Sequence, residues 1–170
     1  MPFRNAATVN DVDWPRWTPV DVATLMFVMR GDEVLLIRKK RGLGKGLINA
    51  PGGRVDPGET PLQAAVRELS EEVCLAAQEP AFCGEHRFQF RDGYSMHVHV
   101  YCTNRYTGEA AETDEALPLW FKRDAIPYEE MWADDVHWVP LLLRGELFET
   151  RSIFDGEKMI DFEMTKTGRR

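Results

Sequence analysis

From Gly53 to Leu75 the chain runs through a glycine-bearing loop into a segment crowded with carboxylates, and this stretch dictates how the remaining residues can be arranged. Thr60 suits a helix N-cap, Pro61 the first helical position, and Gln63 completes a Thr-x-x-Gln capping box, so a helix is predicted over Thr60 to Val73. At about 100° per residue, Leu62, Ala65, Val66, Leu69 and Val73 fall on one stripe, the face that must be buried. Glu68, Glu71 and Glu72 lie beside it at i, i+3 and i+4, where like charges repel. A hard divalent cation offsets that repulsion, because Mg²⁺ binds carboxylate oxygens and shares its other positions with water and phosphate. A solvated acidic helix face is the plainer reading of the glutamates alone. Gly52 and Gly53 favour the ligand reading, since they let backbone approach a bound group closely, and Glu59 stands where it can brace the loop against the helix.

Gly53, Glu59 and Arg67-Glu68-Leu69-Ser70-Glu71-Glu72-Val73-Cys74-Leu75 together resemble the Nudix box of the MutT-type nucleotide pyrophosphohydrolases, Gly-x5-Glu-x7-Arg-Glu-U-x-Glu-Glu-x-Gly-U with U aliphatic. One specified position differs. Cys74 stands where the family has a glycine in the left-handed conformation that closes the helix, and a side chain there costs about 1 kcal/mol. A second stretch, Met131-Trp132-Ala133-Asp134-Asp135 followed by Val136 to Leu143, resembles the purine-reading segment of the animal-type oxidised purine nucleoside triphosphate hydrolases, a branch of the same family. The likeness runs from about Val22 to Met164.

That resemblance implies a set of roles. Glu68, Glu71, Glu72, Glu115 and the carbonyl of Gly52 would hold the metal, Mg²⁺ with Mn²⁺ as an alternative, and Arg67 would orient a box carboxylate. The proton acceptor stays open among Glu68, Glu72 and Glu115. Asn49 would face the purine, Trp132 stack on it, and Asp134 and Asp135 read its edge; Thr24, Lys39 and Phe88 match other pocket positions. Pro51, Gly52, Gly53, Arg54 and Ala133 complete the implied substrate set. Leu43 and the run Ile48-Asn49-Ala50-Pro51 depart from the family's side chains, which bears on base preference. Physical chemistry is consistent with these roles: an indole offers a purine a stacking surface, and two adjacent carboxyls in a partly buried pocket do not both ionise easily, so one can donate while the other accepts. Otherwise Asp134 is only a helix cap and Trp132 only core. The implied reaction is metal-dependent hydrolysis of an oxidised purine nucleoside triphosphate to the monophosphate and pyrophosphate, a sanitation of the nucleotide pool. The alternatives are a Nudix hydrolase acting on another nucleotide derivative such as ADP-ribose, and a non-catalytic nucleotide-binding sensor.

A chain of 170 residues fits one domain, read as an N-terminal extension over residues 1–19 and a Nudix-type domain over 20–166. The extension, with Trp14, Pro15, Trp17 and Pro19, lacks periodicity and is expected to pack over something or join an assembly. A net charge of −7 argues against binding polymeric nucleic acid through phosphate contacts, though not against a nucleotide held through metal ions. No apolar run approaches the roughly 20 residues of a membrane span, the first residues do not resemble a secretory signal, and a cytoplasmic location is expected. Cys74, Cys83 and Cys102 are expected to be reduced thiols; oligomeric state is left open.

The remaining pattern predicts hairpins from Asp21 to Arg30 with Val34 to Lys39, from Phe82 to Phe90 with Tyr94 to Cys102 across Asp92-Gly93, and from Phe148 to Phe154 with Lys158 to Met164 across Asp155-Gly156. Arg38 to Arg41 and the glycine-rich segment after them suit phosphate contact or a plain solvated loop. His97 and His99 are read as exposed or hydrogen-bonded strand residues, with no third ligand spaced to make a metal site. Leu117 to Phe121 is a further strand, Asp134 can cap a helix towards Arg144, and Pro140 is expected to kink or restart it. The fold class is α+β, a Nudix-type mixed sheet sandwiched between helices.

Overall fold

Near-continuous apolar character in Asp21–Arg30 (β1) and Glu33–Lys39 (β2) requires burial on both faces, and the two form an antiparallel hairpin with Val28 opposite Leu35. The computed structural model describes residues 3–170; Met1 and Pro2 of the predicted extension lie outside them. Short strands Ile48–Asn49 (β3) and Gly52–Arg54 (β4) lead to the helix Pro61–Val73 (α1). Then come Ala76–Gln78 (β5), Ala81–Phe90 (β6), Ser95–Thr103 (β7), Arg105–Thr107 (β8) and Ala116–Lys122 (β9). Asp135–Leu143 (α2), Glu146–Asp155 (β10) and Lys158–Arg169 (β11) complete the chain. A nine-stranded sheet runs β11-β10-β6-β7-β1-β2-β3, with β4 also on β1 and β9 on β2. The β1–β7 and β10–β6 pairs are parallel, whereas the three predicted hairpins are antiparallel.

Alternation along β1 separates two cores. Met26 and Val28 join Leu69 and Val73 of α1 on one face, while Phe27 joins Trp138, Val139 and Leu142 of α2 on the other. The sheet therefore lies between the two helices, the expected α+β sandwich. Burying Leu69 and Val73 contributes roughly 1.5–3 kcal/mol each.

Thr60 caps α1 as predicted: its hydroxyl accepts from the Gln63 amide at 3.2 Å, and the Gln63 side chain accepts from the Thr60 amide at 2.8 Å. Leu62 departs from the predicted stripe. It is exposed, and Ala64 of the same turn is buried instead. Pro140 does not break α2 either; it sits inside an unbroken helix, its ring opposite the carbonyl of Val136, whose own side chain is exposed.

The expectation of three reduced thiols is corrected at two positions. A bulge between Phe82 and Gly84 turns Cys83 towards Cys102 on β7, and the two form a disulfide with Cα atoms 6.5 Å apart. Cys74 alone is free and exposed. It closes α1 at φ 65°, ψ 23°, the left-handed conformation predicted for the family's glycine. Relief of the side-chain penalty outweighs the extra freedom glycine gains in the unfolded chain, so Cys74→Gly is expected to leave the melting temperature unchanged or raise it by up to about 3 °C. A clear fall in a thermal melt would show that the Cys74 side chain supports the turn.

The N-terminal extension packs over the far end of the sheet. Ala6, Val9 and Val12 meet Ile153 of β10, with Trp14 and Trp17 alongside, and the Trp17 indole donates to Gln89 Oε1 at 3.0 Å. Among the described residues no helix is long and apolar enough to cross a membrane.

Candidate active site

Backbone proximity explains the two glycines before α1. A Cβ on Gly52 would collide with the carbonyl oxygen of Thr24 on β1, and one on Gly53 would collide with the carboxylate of Glu68. Their absence lets β4 lie between β1 and the acidic face of α1. Arg67 then ties loop and helix together: its guanidinium donates to Glu59 Oε1 at 2.5 Å, to Glu68 Oε1 at 2.9 Å, to Glu71 Oε2 at 3.1 Å and to the Arg54 carbonyl at 3.1 Å. The hydrogen bond to Glu59 is the largest cause holding the guanidinium charged, and Glu59 in turn accepts from the Asp56 amide at 2.7 Å.

Glu68, Glu72 and Glu115 each bring a carboxylate oxygen within 4.8 Å of the other two. Glu71 is not part of that cluster; its side chain is 51% exposed and pairs with Arg67 instead. Burial pushes Glu72 up to about 8, helped by the charges of Glu68 and Glu115 and opposed by Lys39 and the Gly52 amide. Burial likewise raises Glu68, against the pull of Arg67. Glu72 Oε2 is buried without a hydrogen-bond partner. Three converging carboxylates, one with an orphaned oxygen, fit a hard divalent cation. The basic run from Arg38 to Arg41 is largely paired at the protein surface: Arg38 bonds Glu130, Lys40 bonds Glu112, and Arg41 pairs with Glu115. Lys39 remains directed at the site.

Beside the cluster opens a cleft of about 330 Å³ between β1, β4, β6, β7 and α2. Thr24, Lys39, Asn49, Gly52, Gly53, Arg54, Phe88, Trp132 and Asp135 line it, as predicted. Pro51, Ala133 and Asp134 do not; the Pro51 carbonyl accepts from the Met26 amide at 2.8 Å, and Asp134 lies directly behind the lining. Asn49 turns its carbonyl oxygen to the Ala50 amide at 2.8 Å, which leaves its NH₂ as the group it can offer a ligand. The Trp132 indole stands against Gly44 and is edge-on to Phe154, at a centroid distance of 5.6 Å.

Asp134 occupies the residue before α2, yet its side chain makes no capping bond and its backbone is already helical. It is fully buried, with Oδ2 accepting from the Trp138 indole at 3.1 Å and Oδ1 without a partner; Asp135 Oδ2 is likewise buried and unpartnered. The capping alternative is thereby set aside. Desolvation pushes Asp134 up to about 6 and Asp135 well above the usual carboxylate range, the latter raised further by the neighbouring Asp134 charge.

Several lining residues were missed from sequence, Trp138 and His86 among them. Trp138 looked like one of several core positions on α2, and His86 stood in an alternating strand. His86 is fully buried against Trp138 at a centroid distance of 4.3 Å; Nδ1 bonds the Thr150 hydroxyl at 2.6 Å, Nε2 has no partner, and desolvation lowers its pKa to about 3. The only available signal was a histidine on the apolar face of β6.

The NUDIX domain family matches residues 18–142 of this chain. The oxidized purine nucleoside triphosphate hydrolase of Danio rerio is 44% identical over 138 residues, covering 81% of this chain and 88% of that protein. Its namesake in Mus musculus is 40% identical over 126 residues, covering 74% and 81%. Among solved structures, the MutT NUDIX hydrolase from Burkholderia pseudomallei matches with a TM-score of 0.64 at 26% identity, over 75% of this chain and 98% of that one. The MutT protein from Bacillus halodurans shares the fold at a TM-score of 0.76 and 24% identity, over 85% and 97%. The family match runs through the glycine turn, the carboxylate helix and the floor of the cleft alike, and the chain belongs to the NUDIX family.

Proposed function

We propose that the protein hydrolyses oxidised purine nucleoside triphosphates to the monophosphate and pyrophosphate, with Mg²⁺ as the working cation and Mn²⁺ as a substitute, and so keeps damaged purines out of the nucleotide pool. One observation carries this reading. The cleft is lined by the Trp132 indole and by Asp135, with Asp134 buried next to it, and also by Lys39, Gly52 and Gly53, which adjoin Glu72 and Glu68 of the carboxylate cluster, so base and phosphates have separate, chemically matched places. The names of the Danio rerio and Mus musculus relatives support the substrate class.

In this scheme Glu68, Glu72 and Glu115 hold the cation, which when bound neutralises phosphate charge and lowers the pKa of the attacking water. Arg67 keeps Glu68 in place. Gly52 and Gly53 let β4 pass close to β1 and to the Glu68 carboxylate, and Lys39 adds a positive charge beside Glu72. Trp132 offers the stacking surface. Asp134 and Asp135, which do not ionise together readily, present one donor and one acceptor to the purine edge.

Incubation with a panel of canonical and oxidised nucleoside triphosphates and ADP-ribose, with products resolved by chromatography, tests this. Pyrophosphate and monophosphate should appear fastest from oxidised purines; preferred cleavage of ADP-ribose, or no turnover at all, would overturn it.

Glu72 supplies a second check. Because its pKa of about 8 lies above neutrality, a proton must leave before the carboxylate can bind a cation. Mg²⁺ affinity is expected to rise with pH and level off above about 8, with proton uptake by the buffer when the titration is done near neutral pH. Calorimetry in two buffers of different ionisation enthalpy measures this directly, and identical heats in both would refute it.

A further inference from the structure

The two faces of the β6–β7 hairpin carry different chemistry. His86 and Val98 point to the cleft side, so Glu85, Arg87, His97 and His99 point to the opposite side, where the register sets Glu85 across from His99 and Arg87 across from His97. Histidines at i and i+2 on one strand share a face, and here their rings lie 4.3 Å apart between centroids. The third donor comes from the neighbouring strand. His97 Nε2 is 3.1 Å from Glu85 Oε2, and one ligand atom from each of Glu85, His97 and His99 falls within 4.8 Å of the others. From sequence this pair lacked a third ligand; strand pairing supplies it.

We propose that Glu85, His97 and His99 form a second metal site, distinct from the carboxylate cluster on α1, that binds one Zn²⁺ through two imidazole nitrogens and one carboxylate oxygen. Donors on a tetrahedral zinc are about 3.3 Å apart, given bonds of about 2.0–2.1 Å. The Glu85–His97 pair already has that spacing, and a small rotation of half-buried rings brings in His99. The donor set separates the two sites chemically: three carboxylates suit a hard cation, whereas two imidazoles and a carboxylate suit zinc. Arg87 donates to Glu85 Oε1 at 2.7 Å, which holds the carboxylate with Oε2 turned to the histidines and keeps the guanidinium on the far oxygen. Trp17 of the N-terminal extension stands edge-on to His97 at 6.2 Å, walling one side of the site.

Zinc titrated into the full chain, with Mg²⁺ in large excess to occupy the carboxylate cluster, tests the assignment by calorimetry and by the histidine ring signals in NMR. One zinc per chain should bind, moving the His97 and His99 signals while those of His86 and His137 stay in place, and the melting temperature should rise with zinc. His97→Gln and His99→Gln should each weaken zinc binding at least tenfold, while Glu72→Gln leaves it unchanged. Both variants should melt near wild type without zinc; the wild-type ring signals give an independent reading should either fail to fold. Unmoved His97 and His99 signals at saturating zinc, zinc binding of full strength in the His variants, or its loss in Glu72→Gln alone would each overturn the proposal.

Discussion

Glu72→Gln is expected to fold normally and to hydrolyse its nucleotide at least about a hundredfold more slowly at saturating Mg²⁺, a loss of roughly 2.7 kcal/mol in transition-state stabilisation. The amide keeps the size of the side chain and removes the charge. Because Glu72 is buried and carries an orphaned oxygen, it has little to do for the fold that an amide cannot do, and the neutral form already prevails below about pH 8. Its cost to catalysis is different, since one of three converging anionic donors is lost. Glu71→Gln provides the contrast. Glu71 touches Arg67 rather than the cluster, so its loss acts only through the positioning of Glu68, and a reduction of about tenfold or less is expected. Steady-state rates and thermal melts on both variants check the pair; near-wild-type turnover in folded Glu72→Gln would remove the metal assignment.

Asp134→Asn should lower kcat/KM on oxidised purines by about one to two decades, because one hydrogen bond in a desolvated site becomes mismatched at a cost of roughly 1–3 kcal/mol. Its melting temperature should stay within about 2–4 °C of wild type, since an asparagine oxygen can still accept from the Trp138 indole. Asp135→Asn should lose activity to a similar degree with a different ranking of substrates, as guanine-like and adenine-like edges present different donors. Equal kcat/KM on every nucleotide tested would remove both residues from base reading. The same variants carry a stability signature. A carboxyl whose folded pKa exceeds its unfolded value leaves the native state holding more protons, so its stabilising contribution is present below about pH 4 and is lost as the pH rises through about 6 and above. The wild-type melting temperature should therefore fall relative to that of Asp135→Asn between about pH 5 and about pH 8. A constant difference over that range would show that the pair is not buried as a proton-holding unit.

Local rules were enough wherever one segment contained its own explanation. The capping box at Thr60 and Gln63 and the turns at Asp92-Gly93 and Asp155-Gly156 depend on neighbours within a few residues and were readable, whereas the left-handed closure at Cys74 was expected only from the family's glycine. The carboxylates of α1 were readable as a group for the same reason. Their division was not, because helix spacing alone cannot say which glutamate faces Gly53 and which faces solvent; the approach of β4 and of Glu115 from the loop before β9 decides that. The short strands β3, β4, β5 and β8 carry too few residues for any periodicity: β3 and β4 add to the longer β2 and β1, while β5 and β8 pair only with each other.

Asp134 shows the same boundary at the cleft. Its position before an apolar helix fits a cap, and only the Trp138 indole, itself packed against His86 and Phe148, holds the carboxyl inward with one oxygen unpartnered. Cys83 and Cys102 meet because a bulge shifts the register by one residue, a feature without a signature in either strand. Amino-acid order by itself therefore determined the helix, its caps, the hairpins and the residue types at the site, since these follow from dihedral preference and periodicity. Which side chains converge was settled by strand register and burial, because charge and hydrogen-bonding partners in this protein come from separate segments, from a dozen to more than sixty residues apart: Glu85 with His97, Glu72 with Glu115, and His86 with Thr150.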